Sequence, residues 1–191
     1  IYLILIQFNG DEKTIINENT LYNIFTRKFI KNKISILMLT YNRNEKTIEC
    51  LESYLSCLDM EIIQELIIFD NNSNKQLKNY LIDFQRKNKK IKIIFHHENI
   101  GVCGGRLELF KKATGDIICS LDSDAKLLDS NFFEKVRDLL YDEKYGIIGI
   151  SGAYINSWNF GEQEDIDEND TNEYFCHHIA GCCQVFRKIG R

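Results

Sequence analysis

Ile-Ser-Ile-Leu-Met-Leu-Thr, residues 34–40, is a nearly continuous apolar run, and such a run fits a strand buried on both faces, as in a parallel sheet. Polar Tyr41, Asn42, Arg43 and Asn44 interrupt it, and Ile48, Leu51, Leu55 and Leu58 then recur at helical spacing. Residues 65–69 are a second short apolar run, ending in Asp70-Asn71-Asn72-Ser73. That cluster has the chemistry of a turn and of a helix cap. Leu77, Leu81 and Phe84 mark the stripe of the next helix, and residues 91–95 predict a third strand. Residues 99–105 read as a glycine-bearing loop, followed by a helix carrying Leu107, Phe110 and Ala113 on its apolar face. A fourth strand, 116–121, is broken off by Asp122-Ser123-Asp124; Ser130 then opens a helix with Phe133, Val136 and Leu140, and residues 146–151 predict a fifth strand.

Strands alternating with helices of this length predict βαβ units, right-handed crossovers and an α/β fold, a mostly parallel sheet flanked by helices. After Gly152 the pattern dissolves. Residues 158–173 are acidic and contain a glycine, the character of a functional flap or a disordered segment, and 174–187 predict a final pair of sheet or edge elements. Residues 1–32 stand apart as an N-terminal extension or the end of a preceding segment, with a strand and a short helix fitting residues 1–30, and residues 33–191 form the main domain.

Composition narrows the class. With 191 residues, 44% hydrophobic and 27% charged, the chain suits an ordinary soluble domain with one sizeable core. A net charge of -4 argues against a nucleic-acid partner. The basic stretches 27–33 and 86–92 read as solvated helix ends and loop, with peripheral membrane association as the alternative. The seven cysteines are odd in number and scattered; Cys50, Cys57, Cys103 and Cys119 fall in apolar stretches, where a thiol acts as a small hydrophobe. This suggests a reducing cytoplasm, with the inner face of a membrane as the variant location. No apolar run approaches the roughly 20 residues of a membrane span. The chain opens on Ile1 and stops at Arg191, and we expect a piece of a longer protein, lacking its C-terminal part.

In an open α/β sheet, ligands bind beyond the carboxyl ends of the strands. The most polar short clusters fall there: 40–44, 70–73, 99–106 and 122–124. Asp122 and Asp124, two apart beyond a strand, either aim both carboxylates at one hard cation or cap a turn. A phosphate-bound cation typically takes one or two protein carboxylates and fills its other positions with water and phosphate. Their place in the βαβ series favours the cation. Asn99-Ile-Gly-Val-Cys-Gly-Gly-Arg106 is either a backbone cradle with an arginine fork for an anion or a flexible loop with a solvated arginine. Thr40, Tyr41, Asn42 and Arg43 either wrap a nucleotide or lead into a helix. Asp70 and Asn71 either meet a base or ribose or form a capped turn. Cys176, His177, His178, Cys182 and Cys183 include zinc-ligand types, but the spacing does not match paired ligand sets, and a structural role is favoured.

In this order the landmarks resemble a family-2 inverting glycosyltransferase with the GT-A fold, in its rhamnosyltransferase-like branch. The matching pieces are residues 36–43, 67–73, 98–106, 113–124 and 180–187. The resemblance implies transfer of a hexosyl or deoxyhexosyl unit from a nucleotide-diphosphate sugar donor. The acceptor hydroxyl would belong to a glycan, a lipid-linked sugar or a protein, as in surface-polysaccharide synthesis. It implies Mn²⁺ or Mg²⁺ on Asp124 with Asp122. Nucleotide-sugar contacts would come from Thr40, Tyr41, Asn42, Arg43, Asp70, Asn71, Asn99, Gly104, Gly105, Arg106, Asp122 and Ser123. Leu107 stands where many relatives have asparagine. The family's general base lies beyond the glycine that Gly190 resembles, past Arg191, and Glu162, Glu164 and Asp165 are poor substitutes. The alternatives are a sugar-nucleotidyltransferase, whose glycine-rich basic loop after the first strand is missing here, and a non-catalytic glycan- or partner-binding domain of the same fold.

Overall fold

The computed structural model describes residues 32–129, 131–141, 145–149, 152–155, 163–165, 178–179 and 181–188. The chain divides into Ile1–Lys31 and Asn32–Arg191; the second unit is described below, and the strand and short helix expected in the first lie outside the described residues.

Six strands build the main sheet: β1 (Ile34–Thr40), β2 (Ile63–Asp70), β3 (Ile91–Phe95), β4 (Ile117–Asp122), β5 (Ile147–Gly149) and, late in the chain, β9 (Cys183–Arg187). Their order is β3-β2-β1-β4-β9-β5. The pairs β1/β2, β2/β3 and β1/β4 are parallel, whereas β9 runs antiparallel to both β4 and β5. The helices are α1 (Asn44–Tyr54, extended by a 3₁₀ turn at Leu55–Cys57), α2 (Lys75–Gln85), α3 (Gly101–Lys112) and α4 (Phe132–Leu139). A smaller sheet, β7-β6-β8, joins β6 (Gly152–Ile155), β7 (Gln163–Asp165) and β8 (His178–Ile179).

The continuous apolar run of β1 has a direct cause. Successive side chains alternate faces, and helices cover both. Ile34, Ile36 and Met38 pack with Leu51, Leu77, Phe84 and Phe133 on one side, while Leu37 packs with Ile67, Leu109 and Ala113 on the other. At the N-terminal edge of the sheet the fully buried Glu65 accepts from Ser35 Oγ (2.7 Å), Thr114 N (2.7 Å) and Thr114 Oγ1 (2.8 Å), and pairs with Lys92. A buried carboxylate is tolerable only when its oxygens are satisfied in this way. Burial alone would raise its pKa, but the donors from Lys92, Ser35 and Thr114 outweigh that and hold it below the usual glutamate value.

Several expectations need correcting. Residues 99–105 are not all loop: α3 starts at Gly101, so Gly104 and Gly105 are helical. Its buried face carries Gly105 and Leu109, followed by buried Ala113, while Leu107 and Phe110 are exposed, as is Cys103. A Cβ on Gly105 would lie 2.4 Å from Leu39 Cδ1; the glycine is there because helix and strand touch. The expected fifth strand is described over Ile147–Gly149 and lies beside β9. Of the final pair of sheet or edge elements, β9 is an interior strand of the main sheet and β8 an edge of the smaller one. The helix expected to open at Ser130 starts at Phe132, and Ser130 is outside the described residues. Of the acidic segment 158–173, only the backbone of β7 is described.

Candidate functional site

Parallel pairing brings the strand ends into line. Thr40 is paired with Asp70, Asp70 with Phe95, and Leu39 with Asp122, so the loops after β1, β2, β3 and β4 share one edge of the sheet. This is the edge where an α/β sheet opens to ligands.

The loop after β1 is built from unusual backbone. Asn42 (φ 57°) and Arg43 (φ 53°) are both left-handed, and Asn72 after β2 is too (φ 68°). Asparagine tolerates this conformation better than other residues because its short amide can bond locally. Asn42 N donates to Ser73 Oγ (2.9 Å), and Asn42 Oδ1 accepts from Asn74 N (2.9 Å) and Asn74 Nδ2 (3.1 Å). Asn74, not the 70–73 cluster, caps α2, through Leu77 N (3.0 Å). The loops after β1 and β2 are therefore sewn into one unit.

Asn71 does the same toward β3. Its Oδ1 accepts from Ile100 N (2.9 Å) and its Nδ2 donates to Asn99 Oδ1 (2.8 Å), while exposed Asn99 also accepts from Gly101 N (2.9 Å). Asp70 is fully buried, and both carboxylate oxygens lie 3.2 Å from Ser73 N. Thr40 is buried against Thr47, with 3.4 Å between the hydroxyl oxygens. Thr40, Asp70 and Asn71 are thus occupied inside the scaffold, while Tyr41 faces solvent.

Arg43, Arg106, Asp122 and Asp124 meet at the centre. Arg43 Nη1 donates to Asp124 Oδ2 at 2.9 Å. Arg106 Nη2 donates to Asp122 Oδ1 at 2.8 Å and to the Gly181 carbonyl at 3.2 Å. Asp124 is held by an arginine from the loop after β1, and Asp122 by one from the second turn of α3. Gly104 and Gly105 immediately precede Arg106 in α3, where they lie close to Ile100 and Leu39. Ser123 sits half-buried between the two aspartates.

Sequence reasoning missed the supports of this triplet. Asp122 N donates to Cys182 O (3.0 Å), and Ala125 N closes a tight turn on Asp122 O (3.1 Å). From α1, Tyr54 OH and Cys50 Sγ both donate to Ala125 O, at 2.5 and 3.1 Å. Burial pushes the Cys50 thiol up to about 12, so it stays protonated and donates. Their helical spacing (i, i+4) was the available signal, but it reads equally as core packing.

Two carboxylates at a strand end, each with one oxygen engaged by an arginine, match the donor set of a hard cation that draws its other ligands from a diphosphate. Among the described residues no three or more His, Cys, Asp or Glu gather into an all-protein cage. Of the proposed zinc-type cluster, Cys183 is buried, Cys182 is half-buried, and Cys176 and His177 are outside the described residues. No helix among the described residues is long and apolar enough to cross a membrane.

Known proteins resemble this chain in sequence and in fold. An uncharacterized glycosyltransferase of Rickettsia bellii is 33% identical over 135 residues, which is 68% of this chain and 19% of that protein. A mannosyltransferase of Pyrobaculum calidifontis, solved with GDP-Man and Mn²⁺, superposes with a TM-score of 0.60 at 13% identity, over 87% of this chain and 51% of that one. TarS of S. aureus (residues 1–349) gives a TM-score of 0.59 at 18% identity, over 81% and 47%, and has also been solved with UDP and with UDP-GlcNAc. The solved structures share the GT-A fold, and this chain spans about half of each. The model of glycosyl transferase family 2 matches residues 35–189, and the chain belongs to that family.

Proposed function

We propose that this chain binds the nucleotide-diphosphate sugar donor of an inverting glycosyltransferase at the edge formed by Arg43, Arg106, Asp122 and Asp124. The observation that carries the reading is the carboxylate pair at the end of β4, facing one arginine from the loop after β1 and one from α3. Carboxylates for a cation and guanidinium groups for phosphate oxygens are the two halves of a diphosphate site. Asp124, with Asp122, would hold Mn²⁺ or Mg²⁺, and when bound the ion supplies Lewis-acid neutralisation of the departing diphosphate. Asp122, held by Arg106, would lie toward the ribose and sugar. Buried Asp70 and Asn71 fix the loops around the base, and exposed Tyr41 offers a ring face to it.

Transfer would proceed by one displacement at the anomeric carbon, with a hexose or deoxyhexose moving to a hydroxyl of a glycan, lipid-linked sugar or protein. The Mn²⁺ and GDP-Man of the solved mannosyltransferase and the UDP and UDP-GlcNAc of TarS support this reading.

Isothermal titration tests it. UDP, GDP and dTDP are titrated with Mn²⁺, with Mg²⁺ and in EDTA. The expected result is binding of one nucleotide only with the ion, and Asp124→Ala in Mn²⁺ matching the unmutated chain in EDTA. Equal affinity in EDTA would sink the metal role, and no binding of any diphosphate would sink the donor site.

A further inference from the structure

We propose that Arg43 is the divalent cation's competitor at Asp124: it neutralises that carboxylate while the site is empty and is displaced when ion and diphosphate enter together. The inference rests on the donor-site reading above and adds an order of events to it.

The two arginines at the site are held differently. Arg106 has two anchors, Asp122 and the Gly181 carbonyl, and only a third of its side chain is exposed. It ties α3 to β4 and to the turn before β9. Arg43 has one side-chain partner among the contacts seen here, Asp124 Oδ2 at 2.9 Å, and 66% of its side chain is exposed. Its backbone, by contrast, is pinned. Thr47 N donates to its carbonyl (3.0 Å) as α1 begins, and the preceding Asn42 is fastened to Ser73 and Asn74. The side chain can swing from a fixed Cα. Beside it lies an open cavity of about 490 Å³ lined by Arg43, Asn44, Glu45, Lys46 and Gln76, which gives the guanidinium somewhere to turn.

Charge then sets the order. A guanidinium and a divalent ion cannot share one carboxylate oxygen without strong like-charge repulsion. A lone ion reaching this edge would meet two carboxylates, each already neutralised by an arginine, and would be held weakly. A diphosphate changes the balance: its oxygens complete the ion's ligands and offer the released Arg43 a charge-assisted partner. Ion and nucleotide should therefore bind with positive coupling, each tightening the other by the same factor.

Mn²⁺ binding without nucleotide, followed by electron paramagnetic resonance, reads the competition directly. The proteins compared are the unmutated chain, Arg43→Gln, Arg43→Lys and Asp124→Asn; UDP is then added to each. Arg43→Gln should bind Mn²⁺ alone about two- to fivefold more tightly, the range set by removing an exposed ion pair. Arg43→Lys should stay near the unmutated value, and UDP should tighten Mn²⁺ by a smaller factor in Arg43→Gln. The side chain is exposed, so thermal melts of the Arg43 variants should coincide with the parent. Unchanged or weaker Mn²⁺ binding in Arg43→Gln overturns the competition. If Asp124→Asn loses Mn²⁺ while Arg43→Gln matches the parent, only the role of Arg43 falls. If Asp124→Asn takes up Mn²⁺ with UDP as the parent does, the metal site itself falls, and this inference with it.

Discussion

Two adjacent non-glycine residues in the left-handed region, Asn42 and Arg43, store strain of about 1–2 kcal/mol each. The Asn42 amide offsets part of its share by accepting from Asn74 N and Nδ2. Substitution separates the two effects. Asn42→Gly loses the acceptor but also releases the strain, so it should stay within about 1 kcal/mol of the parent. Asn42→Ala keeps a Cβ in the left-handed region and loses the acceptor, so it should destabilise by about 1–2 kcal/mol. Urea denaturation of both variants checks the order, and alanine equal to or milder than glycine would remove strain as the explanation. At this scale the sequence located the strand ends without the state of the residues there. Asp70 and Thr40 stood at strand ends, where the pattern pointed, yet both are buried, because burial there is decided by loops from strands distant in the chain.

Helix α3 shows what element-level patterning can and cannot carry. Apolar periodicity placed Leu107 and Phe110 inward; the helix instead turns Gly105 and Leu109 to β1 and β2. A glycine scores as nothing in a hydrophobic pattern, although it marks where backbones approach most closely. The place of β9 in the sheet was equally illegible, since its insertion between β4 and β5 joins residues 183–187 to 117–121 and 147–149, and no local spacing encodes such a pairing. The parallel core strands β1 to β4 were legible because burial on both faces leaves continuous apolar runs. Close approach also grades two glycine substitutions. A Cβ on Gly115 would meet backbone, Lys33 O at 2.6 Å and Ser35 N at 2.7 Å, whereas one on Gly105 would meet the tips of the Leu39 side chain. Backbone cannot step aside, but a leucine can rotate. Gly115→Ala should therefore cost about 3 kcal/mol and Gly105→Ala about 1 kcal/mol. Thermal melts should rank them in that order, and the reverse ranking would mean that Leu39 is the more rigid neighbour.

Across the whole molecule, the two edges of the sheet use carboxylates in opposite ways. At the ligand edge, Asp122 and Asp124 are half-exposed, and each is paired with an arginine that water also reaches; such pairs contribute little to stability and exchange partners readily. At the opposite edge the Glu65 side chain is 1% exposed, and it joins β1, β2 and the turn before β4 through Ser35, Thr114 and Lys92. The first arrangement suits a ligand and the second suits a fold, so acid should act on them separately. Glu65 titrates below the usual glutamate value in the folded chain, while the unfolded carboxyl titrates near about 4.3. Its stabilisation is therefore fully present above that unfolded value and is lost as pH falls through the lower, folded one. Glu65→Gln keeps the shape, removes the charge and leaves half-exposed Lys92 without its partner, so it should lower stability at pH 7 by about 2 kcal/mol. Urea midpoints for both proteins between about pH 2.5 and 7 should converge as acid removes the charge from the parent. The surface carboxylates paired with lysine, Glu49, Glu52, Glu108 and Asp129, titrate low in both proteins and cancel in the comparison. Parallel curves would show that the Glu65 charge does not hold this edge together, whereas convergence would assign a share of the acid sensitivity of the fold to Glu65, at the edge farthest from the proposed donor site.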